Sequence, residues 1–187
     1  MSKLVERYSG PAIALHWLVG VMVIANVCLG LLTDSFGEAN TRFMIGTHES
    51  MGVTILGLTI MRLLWRATHR PPALPASHTV WERRASLAVH WMLYLVILGL
   101  AVSGVIHDSA WNLAPEIKWR WFGVFEWPRI GWIMHLNPGI RQIVHVAFGK
   151  LHELLAWCLY LLFFLHVAGA LKHQWFDGEP ELQRMWR

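Results

Sequence analysis

Two histidines stand fourteen positions apart in the last apolar stretch of the chain, His152 and His166. That stretch runs from Val144 to Lys172, and from Leu154 to Ala170 it carries no charged residue. A run of this length and composition reads as a helix crossing a bilayer. Fourteen residues make about 21 Å of helix rise, and the second side chain returns to within roughly 40° of the first. One face of one membrane helix therefore presents two imidazoles, one toward each edge of the hydrocarbon layer. An ionisable group inside a bilayer is costly without a partner and is a functional hypothesis by default. Two at this spacing predict two stacked sites.

The elements that position them follow from hydropathy. The 187 residues are 55% hydrophobic and 15% charged; a soluble domain of this size carries more charge. Twelve tryptophans suit the two membrane interfaces. A pI near 9.4 reads as membrane topology and not as nucleic-acid binding, because the basic residues flank apolar runs. Four spans are expected, at 11–33, 42–66, 85–106 and 144–172, in a single integral-membrane domain covering 1–187. Pro11 suits a first helical turn, and the length of the first apolar run argues against a cleaved signal peptide. A loop rich in arginine, with Pro71, Pro72 and Pro75, joins the second and third spans. A polar-aromatic connection from His107 to Ile143 joins the third and fourth.

Lysine and arginine set the orientation. Lys3, Arg7, Arg62, Arg66, Arg70, Arg83, Arg84, Lys172, Arg184 and Arg187 fall on one side; Arg42, Lys118, Arg120, Arg129, Arg141 and Lys150 fall on the other, over a longer loop. Both termini are thus expected in the cytoplasm. The fold class expected is an all-α membrane protein, an up-down-up-down four-helix bundle.

Depth can then be assigned to each histidine. His16, His90 and His166 fall near the inner edge, His48 and His152 near the outer edge. Each level holds enough imidazoles for one six-coordinate iron with two axial histidines. A structural zinc site wants four protein ligands, often cysteine, and neither level offers them. A flat macrocycle needs two axial donors and an apolar slot. Gly20, Gly46, Gly52, Gly57 and Gly169 would let helices or a porphyrin approach closely. Cys28 and Cys158 read as buried free thiols, and no Cys-x-x-Cys-His motif offers covalent haem attachment.

Four groups of residues carry a family resemblance. They are Ala14-Leu15-His16-Trp17-Leu18, then Gly46-Thr47-His48-Glu49-Ser50-Met51-Gly52, then His90-Trp91-Met92-Leu93-Tyr94, and last Leu151-His152-Glu153 with Leu165-His166-Val167-Ala168-Gly169-Ala170-Leu171-Lys172-His173. In this order the chain resembles the bacterial cytochrome b561 family, which includes b-type cytochrome subunits of some hydrogenases. The resemblance implies two non-covalent haem b groups in a bacterial inner-membrane protein that passes electrons between a donor or partner subunit and quinone. It implies axial pairs His16–His166 on the cytoplasmic side and His48–His152 on the periplasmic side. His90 then becomes a hydrogen-bonding neighbour. The best-known activity of the family is oxidation of superoxide with reduction of ubiquinone.

A superoxide donor would need positive steering. The outer face holds Asp34, Glu38, Glu49, Asp108, Glu116, Glu126 and Glu153 against its six bases, so any such funnel is local. Two other functions are weighed: a membrane anchor relaying electrons for a separate redox enzyme, and a haem-free transporter or proton relay. At the inner edge, Lys172 and His173 are candidate donors to a quinone. Trp111, Trp119, Trp121, Trp127 and Trp132 read as an amphipathic segment on the membrane surface, or as a cap over the outer site. No phosphate loop, dinucleotide fingerprint or catalytic triad is evident.

Overall fold

The computed structural model describes residues 7–73 and 77–186, and of Asp34, Phe36, Glu38 and Ala39 the backbone alone. Lys3, Pro75 and Arg187 lie outside the described residues.

Four long helices dominate: α1 Gly10–Leu32, α2 Glu38–Thr68, α3 Val80–Ser109 and α5 Pro138–Trp175. Local chemistry fixes where they start. Pro11 occupies the first turn of α1, where its missing N–H is no loss. Thr79 and Glu82 form a reciprocal capping box at the head of α3. Asn137 caps α5 by accepting from the Gly139 N–H, with Pro138 behind it. A single 3-10 turn, Thr33–Phe36, and Gly37 at φ 74° separate α1 from α2. α1 packs on α2, α2 on α3, and α3 on α5.

Among the described residues three helices, α1, α3 and α5, are long and apolar enough to cross a membrane. α2 is as long but more polar, with Thr47, His48, Glu49, Ser50, Thr54, Thr59 and Arg62 in its body. Ser50 and Thr59 are fully buried, so α2 turns much of its polarity inward. The outer surfaces of the apolar helices expose Leu18, Val21, Leu95, Leu161 and Phe164, as a lipid-facing surface requires.

The first and last described segments meet at one end of the bundle. Tyr8 N–H donates to the Arg184 carbonyl at 3.1 Å, and the Trp17 indole to the Met185 carbonyl at 2.7 Å. Arg184, at the end of the short helix α6 (Glu181–Arg184), also reaches the carbonyls of Pro72 and Ala73.

The aromatic connection, read from sequence as an amphipathic surface segment or a cap, has its own fold. It forms a hairpin, β1 Arg120–Trp121 with β2 Phe125–Glu126, followed by the short helix α4, Gly131–Met134. The hairpin lodges on α2: the Trp121 indole donates to Thr54 Oγ1 at 3.1 Å and the Phe122 N–H to Ser50 Oγ at 3.0 Å. Two hydroxyls on α2 thus hold the loop against the bundle, a pairing that hydropathy does not encode. Arg129 anchors its far end through a bidentate pair with Asp108 at 2.6 and 3.0 Å and through the carbonyls of Ala114 and Ile117.

Candidate functional site

The fourteen-residue spacing of His152 and His166 recurs on every long helix. On α1, His16 is followed fourteen residues later by Gly30; on α3, His90 by Gly104; on α2, His48 by Arg62. Each pair therefore shares one helix face about 21 Å apart along the axis. The bundle has two levels of four positions. Near the chain termini these are His16, Arg62, His90 and His166; at the far end they are Gly30, His48, Gly104 and His152.

Seven residues from either level, at mid-depth, the core is apolar. Val23, Ile55 and Leu159 sit at those midpoints, and with Val19, Val96 and Leu162 they form the buried core of the bundle. The two levels are thus separated by packed hydrocarbon side chains.

At the far level, the rings of His48 and His152 stand opposite one another, edge-on at 71°, with centroids 6.1 Å apart. Their orientation is set from behind. His48 Nδ1 lies 3.0 Å from the Asn26 carbonyl; His152 Nδ1 lies 3.0 Å from the Leu100 carbonyl and 3.1 Å from Ser103 Oγ. A protonated Nδ1 held by a carbonyl leaves Nε2 as the free donor pair, the arrangement that orients metal-binding imidazoles. Gly30 and Gly104 make the space: a Cβ there would lie 3.2 Å and 3.4 Å from the His48 and His152 rings. The histidines line a cavity of about 520 Å³, walled by Val23, Ile55, Leu100 and Leu159, with Glu49, Asp108 and Trp119 at its polar side. The Trp119 indole N–H is buried without a partner among the described residues.

At the level near the termini, His16 and His166 stand with ring centroids 6.0 Å apart. His16 Nδ1 is buried and has no hydrogen-bond partner among the described residues. His90 packs edge-on to His166 at 5.1 Å, its Nδ1 held 2.6 Å from the Ser86 carbonyl.

Two other histidine pairs are built differently. His107 and His145 stack at 3.9 Å, each with its Nδ1 at the other's backbone carbonyl. His78 and His173 stack at 4.0 Å. These separations leave no room for a metal between the rings, so neither pair could hold one iron between its two members. His69 stacks on Trp65, and His135 closes on the Gly131 carbonyl.

The inner-edge candidates Lys172 and His173 are brought together, but both are engaged. Lys172 Nζ contacts Glu82 at 2.5 Å and Asp177 at 2.7 Å, and His173 Nδ1 lies 2.6 Å from the same Asp177 carboxylate. The Lys172 hydrogen bond, foremost, holds the Asp177 carboxyl below the usual range. Burial, then the charge of His173, lowers the His78 imidazole below its ordinary value.

Comparison with known proteins decides the family. A family model described as prokaryotic cytochrome b561 matches residues 7–187. The chain belongs to the prokaryotic cytochrome b561 family. It is 30% identical to "Cytochrome b561 homolog 2" of Escherichia coli strain K12, over 96% of this chain and 91% of the relative. It is 26% identical to "Probable superoxide oxidase CybB" of Yersinia pestis, over 96% of both chains. Membership makes this a membrane electron-transfer cytochrome and implies b-type haem.

The residues present fit that group. A ring nitrogen binds a transition metal at about 2 Å, so two imidazoles on opposite sides of one metal have centroids roughly 6 Å apart. The two facing pairs have that separation and the stacked pairs do not. The unpartnered His16 nitrogen and the apolar cavity beside His48 and His152 point the same way.

Arg62, Gly30, Gly104 and Ser103 lie at the candidate site and were given no site role by the sequence reading, which named Trp119 only within a cap over the outer site. The fourteen-residue register alone could have flagged the first three.

Proposed function

We propose that this cytochrome b561 family member is a multi-pass protein of the bacterial inner membrane, holding two haem b groups and carrying single electrons between an outer-face donor and quinone. His16 with His166, and His48 with His152, are its axial pairs. α2 is the fourth span, its polar side chains turned to the bundle interior, and both termini are cytoplasmic. The carrying observation is two facing imidazole pairs, at 6.0 and 6.1 Å, on one fourteen-residue register. Bound haem would supply reversible one-electron chemistry at each level. The chain's part is to fix the imidazoles through Asn26, Leu100 and Ser103, exclude water with the mid-depth core, and leave space at Gly30 and Gly104.

The donor proposed is superoxide, the substrate class in the name of the Yersinia pestis relative. Quinone is proposed at the inner boundary beside Lys172 and His173, where the cluster with Asp177 and Glu82 would have to open. A second reading, an anchor relaying electrons for a separate redox subunit, is favoured by the exposed hairpin residues Phe122, Val124 and Phe125. Haem assay of the purified chain should give two haems, and quinone reduction should follow addition of superoxide. His173→Leu should raise the quinone KM; an unchanged KM and kcat would remove His173 from the quinone end. A redox subunit that co-purifies and is required for turnover would replace the first reading with the second.

A further inference from the structure

At the level near the termini, α2 carries an arginine where the other three long helices carry histidine. Arg62 lies fourteen residues beyond His48, on the same face and about 21 Å along the axis. Its guanidinium is near enough to bear electrostatically on His16, His90 and His166.

The partners Arg62 has are aromatic. It lies over the Tyr94 ring at 5.3 Å, and Arg66, one turn later, over the Trp91 ring at 5.8 Å. Arg7, Arg70 and His90 join them around a cavity of about 520 Å³ whose lining contains no Asp or Glu. Like charges at i, i+4 repel on a helix, and a guanidinium does not escape by losing its proton. A charge withdrawn from water needs a counter-charge.

Other arginines of the bundle show how that need is met. Arg129 has Asp108, and Arg184 has Glu181 and two carbonyls. Among the described residues no carboxylate forms an ion pair with Arg62 or Arg66. Among the described residues, nothing supplies the counter-charge for this cavity.

We propose that Arg62, backed by Arg66, binds the carboxylate side groups of the haem held between His16 and His166. This rests on the axial pairing proposed above. A guanidinium fork matches a carboxylate in two parallel hydrogen bonds, and Arg62 faces the bundle interior at the level of those histidines. A lipid phosphate, the other source of an anion, would be met by Arg7 and Arg70 nearer the boundary.

The test is potentiometric titration of the purified full-length protein with haem content measured alongside. A positive charge beside a redox cofactor favours its reduced form. Arg62→Gln should therefore lower the midpoint potential of one component, the one that His16→Ala removes, and leave the other in place. Arg62→Lys should recover part of the shift. If Arg62→Gln loses haem, only that component should be lost, and Arg66→Gln should lower the same potential by less. Unchanged potentials with full haem content overturn the proposal, as does a shift confined to the component that His16→Ala retains. A drop in co-purified lipid phosphate with potentials unmoved overturns it too and assigns the cavity to lipid. Failure of the axial pairing is separate: His16→Ala would then keep both components whatever Arg62 does.

Discussion

The level of His48 and His152 and the level of His16 and His166 share a ring separation, 6.1 against 6.0 Å, and differ in the other two corners. The far level fills them with Gly30 and Gly104, whose missing side chains open space beside the rings. The level near the termini fills them with His90 and Arg62. Charge differs as well: Glu49 and Asp108 edge the far cavity, which His48 and His152 line, while Arg62 and Arg66 line a cavity that includes His90 but neither His16 nor His166. Carboxylates stand beside one level and guanidinium groups beside the other. Positive surroundings favour the reduced state of a bound cofactor, so the near level should hold the higher potential. Electrons would then run downhill from the outer face to the inner.

The strongest way to break the comparison is to remove the space at the far level. Gly104→Val puts a branched side chain where a Cβ already lies 3.4 Å from the His152 ring. It should abolish most far-level haem and leave the near level loaded, by haem assay and reduced spectrum. Equal loss from both levels would show that they are not independent sites.

Asp108→Ala comes next. It strands Arg129, which is 7% exposed; losing one partner of a buried pair costs about 3–5 kcal/mol. The expected outcome is a lower Tm and release of the aromatic connection, read as faster proteolysis between 110 and 137. The near-level potential should not move.

A smaller effect is expected from His90→Ala. His90 is held by the Ser86 carbonyl and packs on His166. Both haems should be retained, with a shifted near-level potential, because neighbours of a ligand tune a site without holding it. Loss of one haem from folded protein would make His90 a ligand.

The smallest effect is a pH dependence at the terminal end. The His78 imidazole is lowered in the fold, by burial first and the charge of His173 second. The unfolded chain therefore binds the extra proton more readily. The contribution of neutral His78 is complete above its ordinary pKa of 6.5 and is lost as pH falls below it. Tm should decline over that range, and His78→Gln should flatten the decline.

Much of the bundle was legible because hydropathy and the 3.6-residue repeat act locally. The long apolar runs, the helix start at Pro11 and the two histidine levels follow from them. α2 departs in composition: a crossing was expected at 42–66, but α2 is not among the helices apolar enough for one, because it carries polar residues such as Ser50 and Thr59 that face the bundle. Partners distant in sequence were not legible. Ser50 and Thr54 hold a hairpin about seventy residues away, and Asp108 waits for Arg129; neither has a periodic signal. Lys172 and His173 looked like free donors because Glu82, ninety residues away, meets Lys172 only after folding; Asp177, at i+4 from His173, was within local reach. Gly30, Gly104 and Arg62 were within reach, since the spacing noted for His152 and His166 applies to each helix.

The proposed function requires two haems at two independent levels of unlike charge. Redox titration of wild type, His152→Ala and His16→Ala, with haem content determined on the same samples, tests it most directly. The account predicts two components in wild type, survival of the higher-potential one in His152→Ala, and survival of the lower-potential one in His16→Ala. Loss of the same component in both variants, or a single haem in wild type, would contradict it.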